Sequence, residues 1–184
     1  MLEIIIHGRG GQGAQTAGNL LAMAFFAEGK FIQSFATYGG ARRGTPVSSF
    51  IRIDDRPVRL RCDIESPDAI LCFDASLLDG WLLDRAGTDT LIVVNSVKTL
   101  ADYASLDARR VVPVDGIAIA RRNGLRRIVN SALLGAFIRA LGAPSLDAMS
   151  RTIAEAAPVK QEENVKACVE GFEQADQLIR GVAA

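Results

Sequence analysis

The sequence predicts an α/β fold with a mostly parallel sheet, an antiparallel hairpin inserted into it, and a helical C-terminal third. Three observations carry that prediction. Short, almost wholly apolar runs recur along the first two thirds of the chain, as central parallel strands covered on both faces require. A glycine-rich turn joins the first such run to a segment of helical periodicity. Beyond residue 115 the pattern is helical, punctuated by Gly142-Ala143-Pro144 and Pro158.

The elements follow in order. Residues 2–7 read as the first strand. From Gln12 to Glu28 the apolar residues Leu20, Leu21, Met23, Ala24 and Ala27 recur at helical spacing, and Gly29 stands where a C-cap is expected. Phe31-Ile32-Gln33-Ser34-Phe35 is a second strand, so β-α-β in about 35 residues predicts a right-handed parallel crossover. Ala36 to Pro46 is a loop rich in glycine and arginine. Residues 47–53 alternate like a half-exposed strand, Asp54-Asp55-Arg56-Pro57 is a turn, and Val58-Arg59-Leu60-Arg61 is expected to return as the second arm of a hairpin. Parallel strands resume at 69–73 and 90–94, with a helix over roughly 75–84 between them. Residues 110–115 form a shorter strand, placed near an edge by Pro113. Helices are expected over 130–141, 145–157 and 159–179.

Length and composition narrow the class. A chain of 184 residues fits one domain over 1–184, and 49% hydrophobic with only 6% aromatic residues suits an aliphatic core. Lys plus Arg and Asp plus Glu are each 21, which points to neither nucleic acid nor an anionic membrane. Zero formal charge gives little protection against association, which favours a subunit over a free monomer. Met1 leads directly into a strand without a leader-type segment, and the apolar runs are too short to span a bilayer; a cytoplasmic location is expected. Cys62, Cys72 and Cys168 are scattered and form no Cys-x-x-Cys pair, so neither an iron–sulfur cluster nor a structural zinc is expected in this chain.

Gly8-Arg9-Gly10-Gly11-Gln12-Gly13 is the leading candidate site. Gly8, Gly10 and Gly13 carry the spacing of the dinucleotide-binding fingerprint, between a strand and a helix as a Rossmann-like unit requires. An NAD site also needs an acid at the end of the second strand, and no Asp or Glu lies between Glu28 and Asp54. The alternatives are a bare structural turn, or a loop that touches a phosphate or a partner chain, with Arg9 as a nearby cation. Arg42 and Arg43, with Tyr38 beside them, form the second constellation. They are either surface charges on a turn or part of an anionic or docking site shared with the glycine turn at one rim of the sheet. His7 reads as a core histidine, and Asp74 and Asn95 as helix caps. Lys160, Glu162, Glu163 and Lys166 read as a solvated helix face. No nucleophile–base pair or metal-ligand cluster is evident, so no catalytic residue and no metal site is assigned.

The glycine turn, the segment Tyr38-Gly39-Gly40-Ala41-Arg42-Arg43-Gly44 and the strand Ser49-Phe50-Ile51-Arg52-Ile53 together closely resemble the gamma subunit of 2-oxoacid:ferredoxin oxidoreductases of the pyruvate and ketoisovalerate type. Asn130-Ser131-Ala132-Leu133-Leu134-Gly135-Ala136 and residues 163–172 extend the likeness over essentially the whole chain. Ser131 departs from the family pattern, which often has Met there. The resemblance implies a Rossmann-like subunit of a complex that converts a 2-oxoacid to acyl-coenzyme A and passes electrons to ferredoxin. It implies that thiamine diphosphate and iron–sulfur clusters lie in alpha-, beta- and delta-type partners and that this chain alone binds no cofactor; for the glycine turn, contact with coenzyme A phosphates and bracing of the neighbouring subunits are the two alternatives. The same domain occurs in relatives acting on indolepyruvate, 2-oxoglutarate or oxalate, so the substrate stays open. A stand-alone NADP- or coenzyme A-binding protein is the alternative.

Overall fold

The computed structural model describes residues 1–39, 44–106 and 110–183. One six-stranded sheet organises the chain, in the order β2-β3-β1-β4-β5-β6. Its strands are β1 (Leu2–Arg9), β2 (Phe31–Tyr38), β3 (Pro46–Asp54), β4 (Ala69–Cys72), β5 (Leu91–Asn95) and β6 (Arg110–Val114). β1, β4, β5 and β6 are parallel, whereas β3 runs antiparallel to both β1 and β2. The expected mixed sheet is therefore present, and Pro113 lies in an edge strand as expected.

The hairpin differs from the expected one. β3 pairs with β2 and not with residues 58–61, which form no strand. Its eight-residue ladders with β1 (Leu2↔Ile53 to Arg9↔Pro46) and with β2 (Phe31↔Asp54 to Tyr38↔Val47) use both of its edges, so no edge is left for Val58–Arg61. The half-exposed reading of 47–53 is overturned as well: all seven residues are buried, because α1 (Ala14–Ala27) covers one face of β3 and residues 62–64 cover the other. The pairing of β3 also separates β1 from β2, which share a direction but have β3 between them.

Helix α1 (Ala14–Ala27) packs over β1, β2 and β3. It ends in a Schellman motif, with Gly29 N–H donating to Phe26 O at 2.9 Å and Lys30 N–H to Phe25 O at 3.2 Å; Gly29 supplies the φ of 82° that the motif needs. The expected helix over 75–84 breaks into a 3-10 turn (Ala75–Leu77) and the single turn α2 (Gly80–Leu83), since Asp79 adopts an extended conformation between them. A short helix that periodicity did not reveal, α3 (Gly116–Arg122), follows β6. The three C-terminal helices are α4 (Asn130–Leu141), α5 (Leu146–Ala156) and α6 (Gln161–Ala183).

The main core lies between one sheet face and α1, α3, α4 and α6. The opposite face is covered more thinly, by Ile64, Leu77 and Leu82 against Ile5, Phe50, Ile70 and Ile92. α4 and α6 cross closely through two glycines. A Cβ on Gly135 would collide with the Cys168 carbonyl, and one on Gly171 with the Ala132 carbonyl. α4 is thereby held as a rigid wall beside the start of α1.

On the thinner face Arg52 is 2% exposed. Its guanidinium pairs with Glu3 at 2.6 Å and donates to the Cys62 and Asp63 carbonyls at 2.7 and 3.2 Å. It thus pins the strandless 60–64 segment onto the sheet, so that Ile64 can cap the second core.

Candidate functional site

β1 and β4 lie side by side, yet the chain leaves β1 toward one half of the sheet and β4 toward the other. Such a switch point opens a crevice at the carboxyl ends of the strands, where α/β sheets bind ligands. Here the crevice mouth is occupied by the chain's own side chains. Arg9 Nε donates to Asp74 Oδ2 at 2.9 Å, Arg9 Nη2 to Ser76 Oγ at 2.8 Å and Arg9 Nη1 to Gly44 O at 3.3 Å. Gln12 accepts from the Arg9 N–H at 2.7 Å and donates to Asp74 Oδ2 at 3.3 Å. Burial opposes ionisation of Asp74, but hydrogen bonds from Ser76, Arg9 and Gln12 outweigh it and hold the carboxyl below its usual range. Arg9 is therefore a strut across the switch point. Asp74 is a helix cap, accepting from Ser76 N–H at 3.0 Å, and also the far anchor of that strut.

The glycines divide the work. Gly8 is buried, and a Cβ there would stand 3.0 Å from the Phe73 Cβ and 3.3 Å from the Ala14 Cβ, so a side chain would need its neighbours to give by a few tenths of an ångström. Gly11 and Gly13 take φ of 93° and 89°. Gly13 is the N-cap of α1 and offers no side-chain acceptor to the first turn. Gly10 faces the second loop: its N–H donates to Thr45 O at 2.8 Å and its carbonyl accepts from Gly44 N–H at 3.2 Å. The two loops expected to meet at one rim do so through these residues. Tyr38, exposed at the end of β2, donates its hydroxyl to Gln15 on α1. Arg42 and Arg43 lie outside the described residues.

Behind the glycine turn, on the helical side of the sheet, is a cleft of about 190 Å³. The turn forms one wall, Asn130 and Ser131 of α4 another, and Arg127 and the 157–159 segment the rim. Lys160 Nζ donates to Gly124 O at 2.6 Å, tying the two rim segments together. Asn164, buried, donates to Val159 O and Lys160 O at 2.9 Å each and accepts from Ser131 Oγ at 2.7 Å. Asn130 lies hard against Gly13, where a Cβ would stand 2.7 Å from its Oδ1. Residue patterns pointed to neither Asn130 nor Arg127. The available signal was the run Arg121, Arg122, Arg126, Arg127 around Gly124, just before a helix.

The remaining candidates are structural. His7 is buried, with Nδ1 2.8 Å from Ser48 Oγ and its ring stacked 5.0 Å from that of Trp81. The distance suits a nucleophile and a base, but both residues are only 5% exposed, as expected of a core pair. Burial lowers the His7 pKa, against an opposing pull from Asp79 and with a further lowering by Arg9. Burial likewise pushes the Cys72 and Cys168 thiols up to about 12, which leaves them unreactive at neutral pH. Asn95 does not cap a helix in the segment that follows it; it accepts from Gly116 N–H at 3.0 Å, while Asp115 is the N-cap of α3. Lys160, Glu162 and Lys166 are exposed and Glu163 is half-buried. Among the described residues no three His, Cys, Asp or Glu gather as a metal site, and no helix is long and apolar enough to cross a membrane.

Residues 3–174 match the family of pyruvate ferredoxin/flavodoxin oxidoreductases. The chain belongs to this family. Within the pyruvate ferredoxin/flavodoxin oxidoreductases, it is 39% identical to the common gamma subunit of the pyruvate/ketoisovalerate oxidoreductases of Thermococcus kodakarensis, over 94% of this chain and 96% of that one. The crystal structure of pyruvate oxidoreductase subunit PORC from Thermotoga maritima superposes with a TM-score of 0.81 at 33% identity, covering 94% of this chain and 95% of that one. The gamma subunit of a keto/oxoacid ferredoxin oxidoreductase from Geobacter sulfurreducens superposes with a TM-score of 0.75 at 25% identity, over the full length of both. The resemblance carried by the glycine turn and the Tyr38–Gly44 segment therefore identifies the family.

Proposed function

We propose that this chain is the non-catalytic gamma subunit of a cytoplasmic, multisubunit 2-oxoacid:ferredoxin oxidoreductase, which converts a 2-oxoacid to acyl-coenzyme A and passes the electrons to ferredoxin. The near full-length match to gamma subunits of this family carries the reading. The chemistry of the described residues supports it. The one histidine is buried and the switch-point crevice is filled by Arg9, Gln12 and Asp74. Thiamine diphosphate and the iron–sulfur clusters belong, on this reading, to alpha-, beta- and delta-type partners. The glycine turn with Tyr38, Arg42 and Arg43 then serves as a contact surface inside the complex, toward coenzyme A phosphates or a neighbouring chain.

Affinity purification of the tagged full chain from its native host tests this. Recovery of thiamine- and cluster-bearing subunits, with 2-oxoacid-dependent reduction of ferredoxin by the purified complex, is the expected result. A chain recovered alone, or in a complex without 2-oxoacid oxidation, overturns it.

A further inference from the structure

One edge of the sheet is left open. β2 is an edge strand of eight residues and carries neither a charge nor a proline. Its register with β3 is unbroken from Phe31↔Asp54 to Tyr38↔Val47, so no bulge turns it away. Among the described residues only β3 bonds to its backbone. Lys30, just before it, is held by Asp55 at 2.6 Å. Folded chains ordinarily blunt such an edge with charge, proline, a bulge or a cover. The opposite edge follows that rule: β6 is five residues long, contains Arg110 and Pro113, and packs against the 3-10 segment Leu100–Leu106 and α6.

The surroundings of β2 are apolar. Phe31 and Tyr38 are 46% and 55% exposed. The hydrogen bond from Tyr38 to Gln15 turns that side of α1 toward β2. Ala22 and Phe26 lie on the same side about two and three turns on, and Phe26 is 73% exposed.

We infer that the β2 edge is an interface with a second copy of this chain, in which β2 pairs antiparallel with its counterpart about a twofold axis normal to the sheet. Three features fit that occupant. Pairing centred on Phe35 sets this ring against its own copy and Ile32 against the second copy's Tyr38, which are favourable cross-strand partners. No charge in the strand meets a like charge, and zero net charge on each chain leaves nothing to drive the copies apart. The area is also sufficient. Eight residues at about 3.4 Å each make an edge about 27 Å long, and the sheet with α1 on one face is about 20–25 Å deep. That is roughly 600 Å² per copy and about 1,200 Å² in all, the lower limit of a specific interface. β3 and its counterpart then stand three strand spacings apart, about 14 Å. α1, packed over β2 and β3, faces its own copy across a gap slightly wider than a helix of ~10–12 Å, which Phe26 and Met23 fill. The inference does not rest on the subunit role, and it involves neither the glycine turn nor the cleft behind it.

Sedimentation equilibrium and hydrogen exchange on the purified full chain test the interface. The wild type sediments as a dimer at about 100 μM, and the β2 amides that point away from β3 exchange more slowly there than at high dilution. Ser34→Lys, at an exposed mid-strand residue, raises the dimer dissociation constant about tenfold or more, as a charge on a pairing edge requires. Phe26→Asp does the same from α1 and leaves the strand unaltered. Val97→Asp, at a residue 81% exposed beyond β5 in the other half of the sheet, leaves dimerisation unchanged. An equal loss in Val97→Asp means unspecific apolar association and overturns the interface. A dimer whose β2 amides exchange as fast as those of the Ser34→Lys chain joins elsewhere and overturns it too. So does a wild type that is monomeric at about 100 μM, including one whose Ser34→Lys variant fails to recover partner subunits, which gives the edge to a different chain. Each of these failures leaves the subunit role standing.

Discussion

Gly135→Ala is the substitution in which the structure predicts a large effect from a single methyl group. Gly135 sits in the middle of α4, where alanine would ordinarily stabilise a helix by about 1 kcal/mol. Its Cβ, however, would overlap the Cys168 carbonyl oxygen of α6, with the carbonyl carbon only 2.7 Å away. Ordinary contact begins at about 3.4 Å, so relieving the carbonyl carbon alone parts the backbones by about 0.7 Å, and the nearer carbonyl oxygen demands more. A gap of that size forfeits roughly a quarter to a half of each dispersion contact along the interface. The obstacle is main chain on a packed helix, so no rotamer change relieves it. The net cost is about 3 kcal/mol, at the upper end of the overpacking range. For a chain of this size each kcal/mol lowers Tm by roughly 2–4 °C, so a fall of about 6–12 °C is expected. Differential scanning calorimetry on the full chain measures it. Gly181→Ala serves as the control, since a Cβ there meets nothing and the variant should match or slightly exceed the wild type. If Gly135→Ala melts within about 2 °C of the wild type, the close α4–α6 crossing is wrong.

Three further outcomes follow from the same physical reasoning. His7 is buried with a lowered pKa, so between its folded value and the unfolded 6.5 the unfolded chain binds a proton that the native chain refuses; stability is present in full above about 6.5 and falls as pH drops through that window. Urea midpoints measured from pH 7.5 to 5 should show this slope, and His7→Gln should flatten it; a variant with the same slope as the wild type assigns the titration elsewhere. Arg52→Met leaves Glu3 and the Cys62 and Asp63 carbonyls without their donor and should cost about 3 kcal/mol. It should also release residues 60–64, read as faster trypsin cleavage at the exposed Arg59 and Arg61; unchanged cleavage refutes the pinning role. Arg9→Gln removes the strut to Asp74, Ser76 and Gly44, at a stability cost below about 1 kcal/mol because the guanidinium is well exposed. Hydrogen exchange at the Gly10 and Gly44 amides should quicken in that variant, and unchanged protection contradicts the coupling of the two loops.

The parts of this fold that were legible in the residues are those set by near neighbours. β1 and β5 announce themselves as continuous apolar runs, α1 stops at the glycine its Schellman motif needs, and Pro113 marks an edge. The 47–53 strand shows why the rest was not. Its alternation of apolar and polar residues belongs to a half-exposed strand, yet α1 covers one of its faces and the 60–64 segment covers Arg52 on the other. An arginine can be buried there because Glu3, Gln33 and two carbonyls meet its guanidinium, and those partners come from three separate stretches of chain. α3 escaped notice because seven residues are too few for a periodic pattern to stand out.

The candidate site divides in the same way. Spacing alone located the glycine turn, assigned it to a strand-to-helix junction and, through the absent acid after β2, argued against NAD. Those are local properties of short peptides, and local sterics decide them. What occupies the ground around the turn was set by residues remote in the chain. Asp74 turns Arg9 from a free cation into a strut, and Asn130, at the start of α4, presses on Gly13 from more than a hundred residues away in the chain. Contacts of this kind exist only once the helices have packed, because each depends on where a neighbouring backbone comes to rest.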